Sequence, residues 1–299
     1  MAVRKIILLF CLTMSMLRAA EFAGGRALAV QSIAPSARAL ALGNAYAAHR
    51  PDAASFLWNP GGLAFVGKKE IATLQTQLAA DVDFFGLSAV LPLAQCALGF
   101  YWAQLQIADI PETAASLNNN EVVLIDSLSY YENTAVLAAA KEILPGLGLG
   151  VSLRHSSQQI SAGYGYGSGW SGAAGLYCRL SALTLGLTAD NLSAYQEYDT
   201  GSIDRLPQNY TAGLGWQIMD KLGLYYDRRF SEGSVPAQNY WGLEILLTPR
   251  IQLAAGCLED RFTAGAGLAM DYVYFAYAYA AQNKHSLGSD QYISLGARW

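Results

Sequence analysis

The sequence predicts an all-β protein: a transmembrane antiparallel β-barrel of about fourteen strands, with an N-terminal hatch segment in its lumen. Three observations lead to this fold. The chain of 299 residues is 53% hydrophobic but only 14% charged, whereas soluble proteins carry about 25% charged residues. Beyond the N-terminus, no apolar run approaches the roughly 20 residues that a transmembrane helix needs. Apolar residues instead alternate with small or polar ones over segments of about ten residues, which is typical of membrane-spanning strands.

The first residues have the pattern of an export signal peptide. Arg4 and Lys5 precede an apolar stretch over residues 6–17, which is too short to span a membrane, and small residues follow it. We therefore expect three regions: a signal peptide at 1–20, an N-terminal hatch or plug at 21–68, and a transmembrane β-barrel at 69–299.

The clearest alternation runs over residues 209–218. Its apolar face carries Tyr210, Ala212, Leu214, Trp216 and Ile218. The same pattern predicts strands at 69–80, 83–93, 95–106, 128–140, 146–158, 169–180, 183–191, 208–218, 221–230, 238–248, 250–258, 260–269, 272–282 and 290–299. Short connections alternate with long ones such as 193–207, as periplasmic turns alternate with extracellular loops in outer-membrane barrels.

The non-apolar face of these strands consists mostly of Gly, Ser, Thr and Ala. A soluble β-sandwich would also alternate, but its outward positions would be charged. Small residues instead suit a lumen that is packed by other segments of the chain. The last strand carries Ile293, Leu295 and Trp299 on one face and ends on an aromatic residue. Bacterial outer-membrane barrels commonly present such an end to the barrel-assembly machinery.

Residues 21–68 do not alternate, and they end in turn signals at Asp52, Trp58, Asn59, Pro60, Gly61 and Gly62. Asp52 can cap a short helix through Phe56 or Leu57. Asn59 should end this helix because the residue before a proline is driven out of the helical region. The following glycine pair permits a sharp reversal.

A barrel of about fourteen strands needs something to occupy its lumen. Side chains alone fill the interior at about eight strands, and a wider barrel conducts unless it is plugged. Residues 21–68 are the natural plug. The alternative is that they form a periplasmic tail.

Two stretches carry a family resemblance: ARALALGNA at residues 37–45 and DAASFLWNPGGLA at residues 52–64. They resemble the N-terminal signature of PorV/PorQ-like barrels, which belong to the wider FadL-like outer-membrane superfamily. Asn44 stands where a second Gly is common, and Gly61 stands where Ala is usual. The resemblance covers most of the chain after the predicted signal peptide, most sharply at residues 37–64 and 168–299.

The resemblance implies a fourteen-strand barrel with an N-terminal hatch in the bacterial outer membrane. PorV/PorQ resemblance implies a scaffold or shuttle that is associated with type IX protein secretion or another cell-envelope function. FadL resemblance implies, as the alternative, a transporter of hydrophobic small molecules.

The alternation also places charged residues inside the barrel. These lumen charges are Arg154, Arg179, Asp190, Asp227, Arg229, Glu244 and Arg298. In one interpretation they line a selective path or anchor the hatch. In the other they form cross-strand pairs that neutralise each other, since buried charges need partners.

Little in the sequence indicates catalysis. The three histidines are far apart, and His155 and Ser156, as neighbours on a strand, point to opposite faces. We therefore expect no enzyme activity, no cofactor and no metal. The net charge of −4 and the lack of a basic cluster argue against nucleic acid. Expected partners are outer-membrane lipid and the barrel-assembly machinery, with secretion-system proteins and a hydrophobic ligand as alternatives.

Overall fold

The computed structural model describes residues 29–78, 82–115, 122–163, 165–233, 236–282 and 288–299. The signal peptide that we predict at residues 1–20 lies outside the described residues. So do the first eight positions of the N-terminal segment, residues 21–28.

The described chain is almost entirely β-structure. Its strands are β1 (Glu70–Leu78), β2 (Val82–Pro92), β3 (Ala97–Ala115), β4 (Val122–Leu144), β5 (Leu147–Ile160), β6 (Gly165–Leu180), β7 (Leu183–Tyr198), β8 (Ile203–Arg205), β9 (Asn209–Met219), β10 (Leu222–Ser231), β11 (Gln238–Leu246), β12 (Ile251–Leu258), β13 (Arg261–Ala269), β14 (Val273–Ala280) and β15 (Asp290–Arg298). One short α-helix, α1 (Ala37–Ala41), and 3-10 helices at Ala29–Ser32, Ser55–Leu57, Pro60–Phe65 and Ser161–Gly163 complete the described elements.

Fourteen of these strands close into an antiparallel barrel. Neighbouring strands along the chain pair with each other, and β1 pairs with β15 to close the ring. The short β8 pairs only with the outer part of β7, so β7 pairs with β9 in the wall. The predicted fold class is confirmed. We call the end at which β1 begins and β15 ends the short-turn end, and the opposite end the long-hairpin end.

The two faces of the wall separate as the alternation predicts. On β9, Tyr210 and Trp216 are exposed outward, whereas Thr211 and Gly213 are buried inward. On β15, Ile293 and Leu295 also point outward and are exposed. An apolar outer face is the feature that a barrel needs in order to sit in hydrocarbon.

The hairpin of β3 and β4 extends well past its neighbours. β2 begins opposite Ile107, but β3 continues to Ala115 and pairs with β4 over that whole length. Our strand boundaries at 106 and 128 were therefore wrong. Outside the width of a bilayer no lipid imposes an apolar face, so strand pairing there leaves no alternation to detect in the sequence.

The strand β7 also runs further than predicted, to Tyr198 rather than to residue 191. Asn191 and Ser193 have positive φ angles of 59° and 51°, and the pairing of β6 with β7 shifts register beside them. A β-bulge of this kind inserts an extra residue and interrupts the period of two. The interruption conceals the second half of the strand in the sequence.

The described part of the N-terminal segment lies within the barrel lumen. Helix α1 packs against β12–β15, whereas the 3-10 helix at Pro60–Phe65 packs mainly against β4–β6 on the other side. Most alanines and leucines of the segment are buried, and Ala39 and Leu42 are fully so. Within the described residues, no helix is both long enough and apolar enough to cross a bilayer.

Candidate functional site in the barrel lumen

Asp227 of β10 holds the backbone of the N-terminal segment. Its Oδ2 accepts hydrogen bonds from the amides of Tyr46 and Ala47, each at 2.7 Å, and the residue is only 1% exposed. This predicted lumen charge therefore contacts the segment directly, as an anchor would.

Replacing Asp227 with Ala is expected to loosen the segment. Each buried amide that loses its acceptor costs about 1–3 kcal/mol, so the amides of Tyr46 and Ala47 should exchange hydrogen at least about tenfold faster. Hydrogen exchange read by mass spectrometry measures this. Asp83→Ala, which removes an exposed carboxylate from β2, is the matched control. Unchanged protection of both amides in the Asp227 variant would contradict the anchor.

Glu244 of β11 forms the second contact between wall and segment. Its Oε1 accepts from Arg38 through Nε at 3.1 Å and through a terminal nitrogen at 2.9 Å, and from Gln252 Nε2 at 2.6 Å. The carboxylate is almost fully buried. Because an uncompensated buried charge is costly, Arg38 and Glu244 each require the other to stay in place.

His49 packs in the same cluster without carrying a charge. Burial and the positive charge of Arg38 lower its pKa below the usual value, so the ring is neutral at pH 7. Its Nε2 lies 3.4 Å from Glu244 Oε1 and can donate to it. The ring stacks on Tyr46 at 4.3 Å between centroids and contacts Tyr225 at 4.8 Å. The histidine is therefore part of the packing between segment and wall.

Asp52 organises the turn that follows. Its Oδ1 accepts from the amides of Ala54 and Ser55 at 3.0 and 2.9 Å. The N-cap position of the 3-10 helix at Ser55–Leu57 is Ala54, two residues after the cap that the sequence predicts. Its Oδ2 accepts from the hydroxyl of Tyr46. The carboxylate thus joins two parts of the segment.

The WNP part of the motif ties the segment to itself and to the wall. The indole of Trp58 donates to the carbonyl of Asn44 at 2.9 Å. The side-chain Nδ2 of Asn59 donates to the carbonyls of Ala47 and of Leu176 on β6, both at 2.9 Å. Asn59 Oδ1 also caps the next 3-10 helix. These contacts are a physical reason for an Asn at this position.

The glycine pair does not make a reversal, so that expectation was wrong. Gly61 and Gly62 lie inside the 3-10 helix at Pro60–Phe65, and neither is among the residues with a positive φ. Glycine is required at position 61 because the segment and the wall approach each other closely there. A Cβ there would lie 2.6 Å from the carbonyl oxygen of Gly175 on β6.

Glycines of the wall meet the segment in the same way. A Cβ on Gly150 would lie 2.3 Å from the carbonyl group of Pro60, and one on Gly186 would lie 2.1 Å from the carbonyl oxygen of Ala47. On the other side of the barrel, a Cβ on Gly256 would lie 2.3 Å from the amide nitrogen of Gly43. The inner face of small residues that the sequence predicts is thus the surface against which the segment packs.

Other lumen charges pair within the wall. Arg154 lies 3.4 Å from Asp190 and donates to Asn191 at 3.2 Å. This is the cross-strand neutralisation that formed the second interpretation. The two interpretations thus concern different residues, since Asp227 and Glu244 contact the segment whereas Arg154 pairs within the wall.

The remaining lumen arginines contact aromatic rings or line a cavity. The guanidinium of Arg179 lies 3.9 Å from the ring centroid of Phe65, in the segment. That of Arg229 lies 5.6 Å from the ring centroid of Tyr240. Arg298 lines the cavity described below.

Sequence reasoning missed several residues of this interface. Arg38 is the residue that could have been found, because a charge in the middle of the apolar stretch ARALALGNA indicates a buried ion pair. Thr184 and Ser294 carried no such signal, although they bond the segment at Ala48 and Ala37, at 2.6 and 2.9 Å. Among the described residues, no group of three or more His, Cys, Asp or Glu side chains is arranged to hold a metal ion.

A cavity of about 240 Å³ lies between the segment and the wall near the short-turn end. The segment contributes Arg38, Arg50 and Asp52 to its lining, and the wall contributes parts of β1 and β11–β15. This cavity is polar on the side of the segment and lined largely by small residues on the side of the wall.

The inner wall towards the long-hairpin end is apolar on one side. Phe84, Tyr101 and Leu105 of β2 and β3 are buried in one hydrophobic cluster with the segment. Leu78 and Ile107 continue this surface towards the end of the barrel and are only partly buried. The opposite wall, on β5–β7, carries polar and charged side chains instead.

No family model matches this chain, and no curated protein does either. Solved structures do. The Pseudomonas putida toluene transporter TodX is 12% identical with a TM-score of 0.60, and the match covers 88% of this chain and 96% of TodX. The Ralstonia pickettii toluene transporter TbuX is 12% identical with a TM-score of 0.61, covering 91% and 98%. This chain shares their fold. A deletion mutant of TodX, described as a monoaromatic hydrocarbon channel, matches similarly at 13% identity and a TM-score of 0.60, covering 88% and 97%.

The likeness shows that this chain has the barrel fold of these transporters. PorV/PorQ membership, the secretion role and the signal peptide are outside what it tests, and they stay predictions. So does the absence of enzyme activity. His155 points outward and contacts Trp170, with 4.6 Å between ring centroids and the rings tilted by 56°. Ser156 is buried inward, as their adjacency on a strand predicts.

Proposed function

We propose that this protein is a bacterial outer-membrane channel for hydrophobic small molecules, which was the alternative in our sequence interpretation. The observation that carries the proposal is the apolar inner wall from Leu78 and Ile107 to Phe84 and Leu105. A water-filled pore for polar solutes gains nothing from such a surface. An apolar solute is stabilised by about 25 cal/mol for each Å² of its apolar surface that leaves water.

The segment in the lumen fits the same role. Helix α1 packs against β12–β15 and the 3-10 helix at Pro60–Phe65 packs against β4–β6, and we infer that this packing obstructs an aqueous path for ions and polar solutes. An apolar molecule can follow the apolar wall only if parts of the segment move. TodX and TbuX are described as toluene transporters, and the likeness of this fold to theirs supports the proposal.

The test is uptake of toluene by proteoliposomes that contain the purified protein. We expect uptake above protein-free liposomes and no comparable uptake of glucose. Changing both Leu78 and Ile107 to Gln should reduce toluene uptake about tenfold, because each change makes the apolar path polar at a cost of about 1 kcal/mol or more. Leu93→Gln, which alters an exposed apolar residue outside the lumen, is the control.

Equal permeation of glucose and toluene would contradict a hydrophobic channel and would indicate an open pore. Toluene uptake at the rate of protein-free liposomes would also contradict it. Retained heat-modifiable gel migration shows that each variant still forms its barrel.

The second candidate function is a scaffold or shuttle in protein secretion, and it depends on the WNPGGLA resemblance at residues 58–64. In the structure, Trp58 and Asn59 of this motif contact the chain's own backbone. The motif itself therefore presents no evident partner surface. Affinity purification of the protein from its native membrane tests this candidate, since a scaffold should copurify with components of a secretion complex.

A further inference from the structure

The cavity at the short-turn end is rich in arginine. Arg38 and Arg50 come from the segment, Arg250 from the turn before β12, and Arg298 from the end of β15. The carboxylates among the lining residues are those of Asp52 and Glu70. Arginine guanidinium groups recognise carboxylate and phosphate through paired N–H donors.

The two carboxylates are already satisfied by neutral donors. Asp52 accepts from two amides and from the hydroxyl of Tyr46. Glu70 accepts from the hydroxyl of Tyr274 at 2.7 Å. The hydrogen bonds of both carboxylates therefore come from neutral donors, and Arg38 adds an ion pair to Asp52 at 4.0 Å.

Among the described residues, two of the four arginines, Arg50 and Arg298, have no carboxylate oxygen within 4.0 Å. Arg38 lies 2.9 Å from Glu244 and 4.0 Å from Asp52, and Arg250 lies 3.8 Å from Asp271. Glu70 attracts Arg298 from further away. Arg50, on the segment, and Arg298, on the wall, both line the cavity.

We propose that this cavity binds an oxyanion, a carboxylate or phosphate group, between Arg50 and Arg298. Such a group would supply the acceptors that the two guanidinium groups lack. It would also bridge the segment and the wall, because one arginine belongs to each. The proposal goes beyond the passage of apolar molecules and does not depend on it.

The remaining lining limits what the anion can belong to. Ala72 and Ala254, both buried, and the neighbouring glycines form the wall side of the cavity. At about 240 Å³, it is smaller than the roughly 300–1,000 Å³ of sites for drug-sized ligands. A free inorganic anion or the head group of a short amphipathic molecule fits this space.

Calorimetric titration of the full-length protein in a non-ionic detergent tests the site. The probes are inorganic phosphate, octanoate and the uncharged octanol. We expect octanoate or phosphate to bind, and the Arg50→Gln, Arg298→Gln double variant to weaken that binding at least about tenfold, because a hydrogen bond to a charged group contributes about 1.5–3 kcal/mol. Arg205→Gln, which removes an exposed arginine of β8, should bind like the parent.

The probes also separate the two sources of the anion. Binding of both phosphate and octanoate supports a site for free oxyanions, and binding of octanoate alone supports recognition of an amphipathic head group. The proposal is overturned if neither anion binds, if octanol binds as tightly as octanoate, or if the double variant binds like the parent. Heat-modifiable migration of the double variant confirms that the barrel is intact.

Discussion

Deleting residues 21–68 while keeping the export signal is expected to turn an occluded barrel into an open pore. With fourteen strands spaced about 4.8 Å apart and tilted by about 40°, the wall has a backbone diameter of roughly 28 Å. Inward side chains leave much of that width unfilled, since about eight strands already suffice to fill a lumen. Planar-bilayer recordings should show large, steady conductance steps that the full-length protein lacks.

The control for this deletion shortens the β3–β4 hairpin where it extends past its neighbours. Replacing residues 109–127, which begin on β3 and end on β4, with a short turn should leave the conductance of the full-length protein unchanged. Equal conductance of the full-length protein and of the 21–68 deletion would refute the plug, provided that both show heat-modifiable migration. A deletion that fails to assemble is replaced by cleavage of the folded protein at a protease site introduced near residue 68.

The second large effect is expected from a single methyl group on the wall. In Gly150→Ala the new Cβ would lie 2.3 Å from the carbonyl group of Pro60, which is closer than any real contact. Because backbone faces backbone, neither side can yield as a flexible side chain would. We expect docking of the 3-10 helix at Pro60–Phe65 to weaken by about 1–3 kcal/mol or more.

Hydrogen exchange of the amides of Gly61 and Gly62 measures this loss, and bilayer recordings should show intermittent opening. Gly172→Ala is the matched control on β6, because its Cβ would meet its nearest neighbour at an ordinary 3.7 Å. Since alanine suits a strand better than glycine, the control should be as stable as the parent or slightly more so. Equal amide protection in the two variants would contradict the role of Gly150.

Much of the wall could be predicted because lipid on one side imposes a strict period of two. The strand predicted at 208–218 illustrates this: its bounds differ from the observed Asn209–Met219 by one residue at each end. The pattern disappears wherever the lipid does, so the extension of β3 to Ala115 was missed. The part of β7 beyond its bulge was missed because the bulge interrupts the alternation.

The lumen could be predicted in composition but not in detail. The alternation along the strands correctly placed Asp227 and Glu244 on the lumen side. It could not show that Asp227 binds two backbone amides and that Glu244 binds an arginine. Gly61 was assigned to a turn because glycine has two uses, conformational freedom and close approach, and a sequence does not distinguish them. Only the neighbouring carbonyl oxygen of Gly175 does.

The sequence by itself determined the fold class, the strand count, the outward and inward faces, and the fact that the lumen is lined by small residues. These features follow from local rules, since alternation and turn signals depend on neighbours along the chain. Tertiary structure alone decided which wall residues meet the segment, which charges pair, and that Arg50 and Arg298 face one cavity. Such contacts join residues more than 200 positions apart, as between Arg38 and Glu244. Their geometry arises only when the barrel closes around its own N-terminal segment.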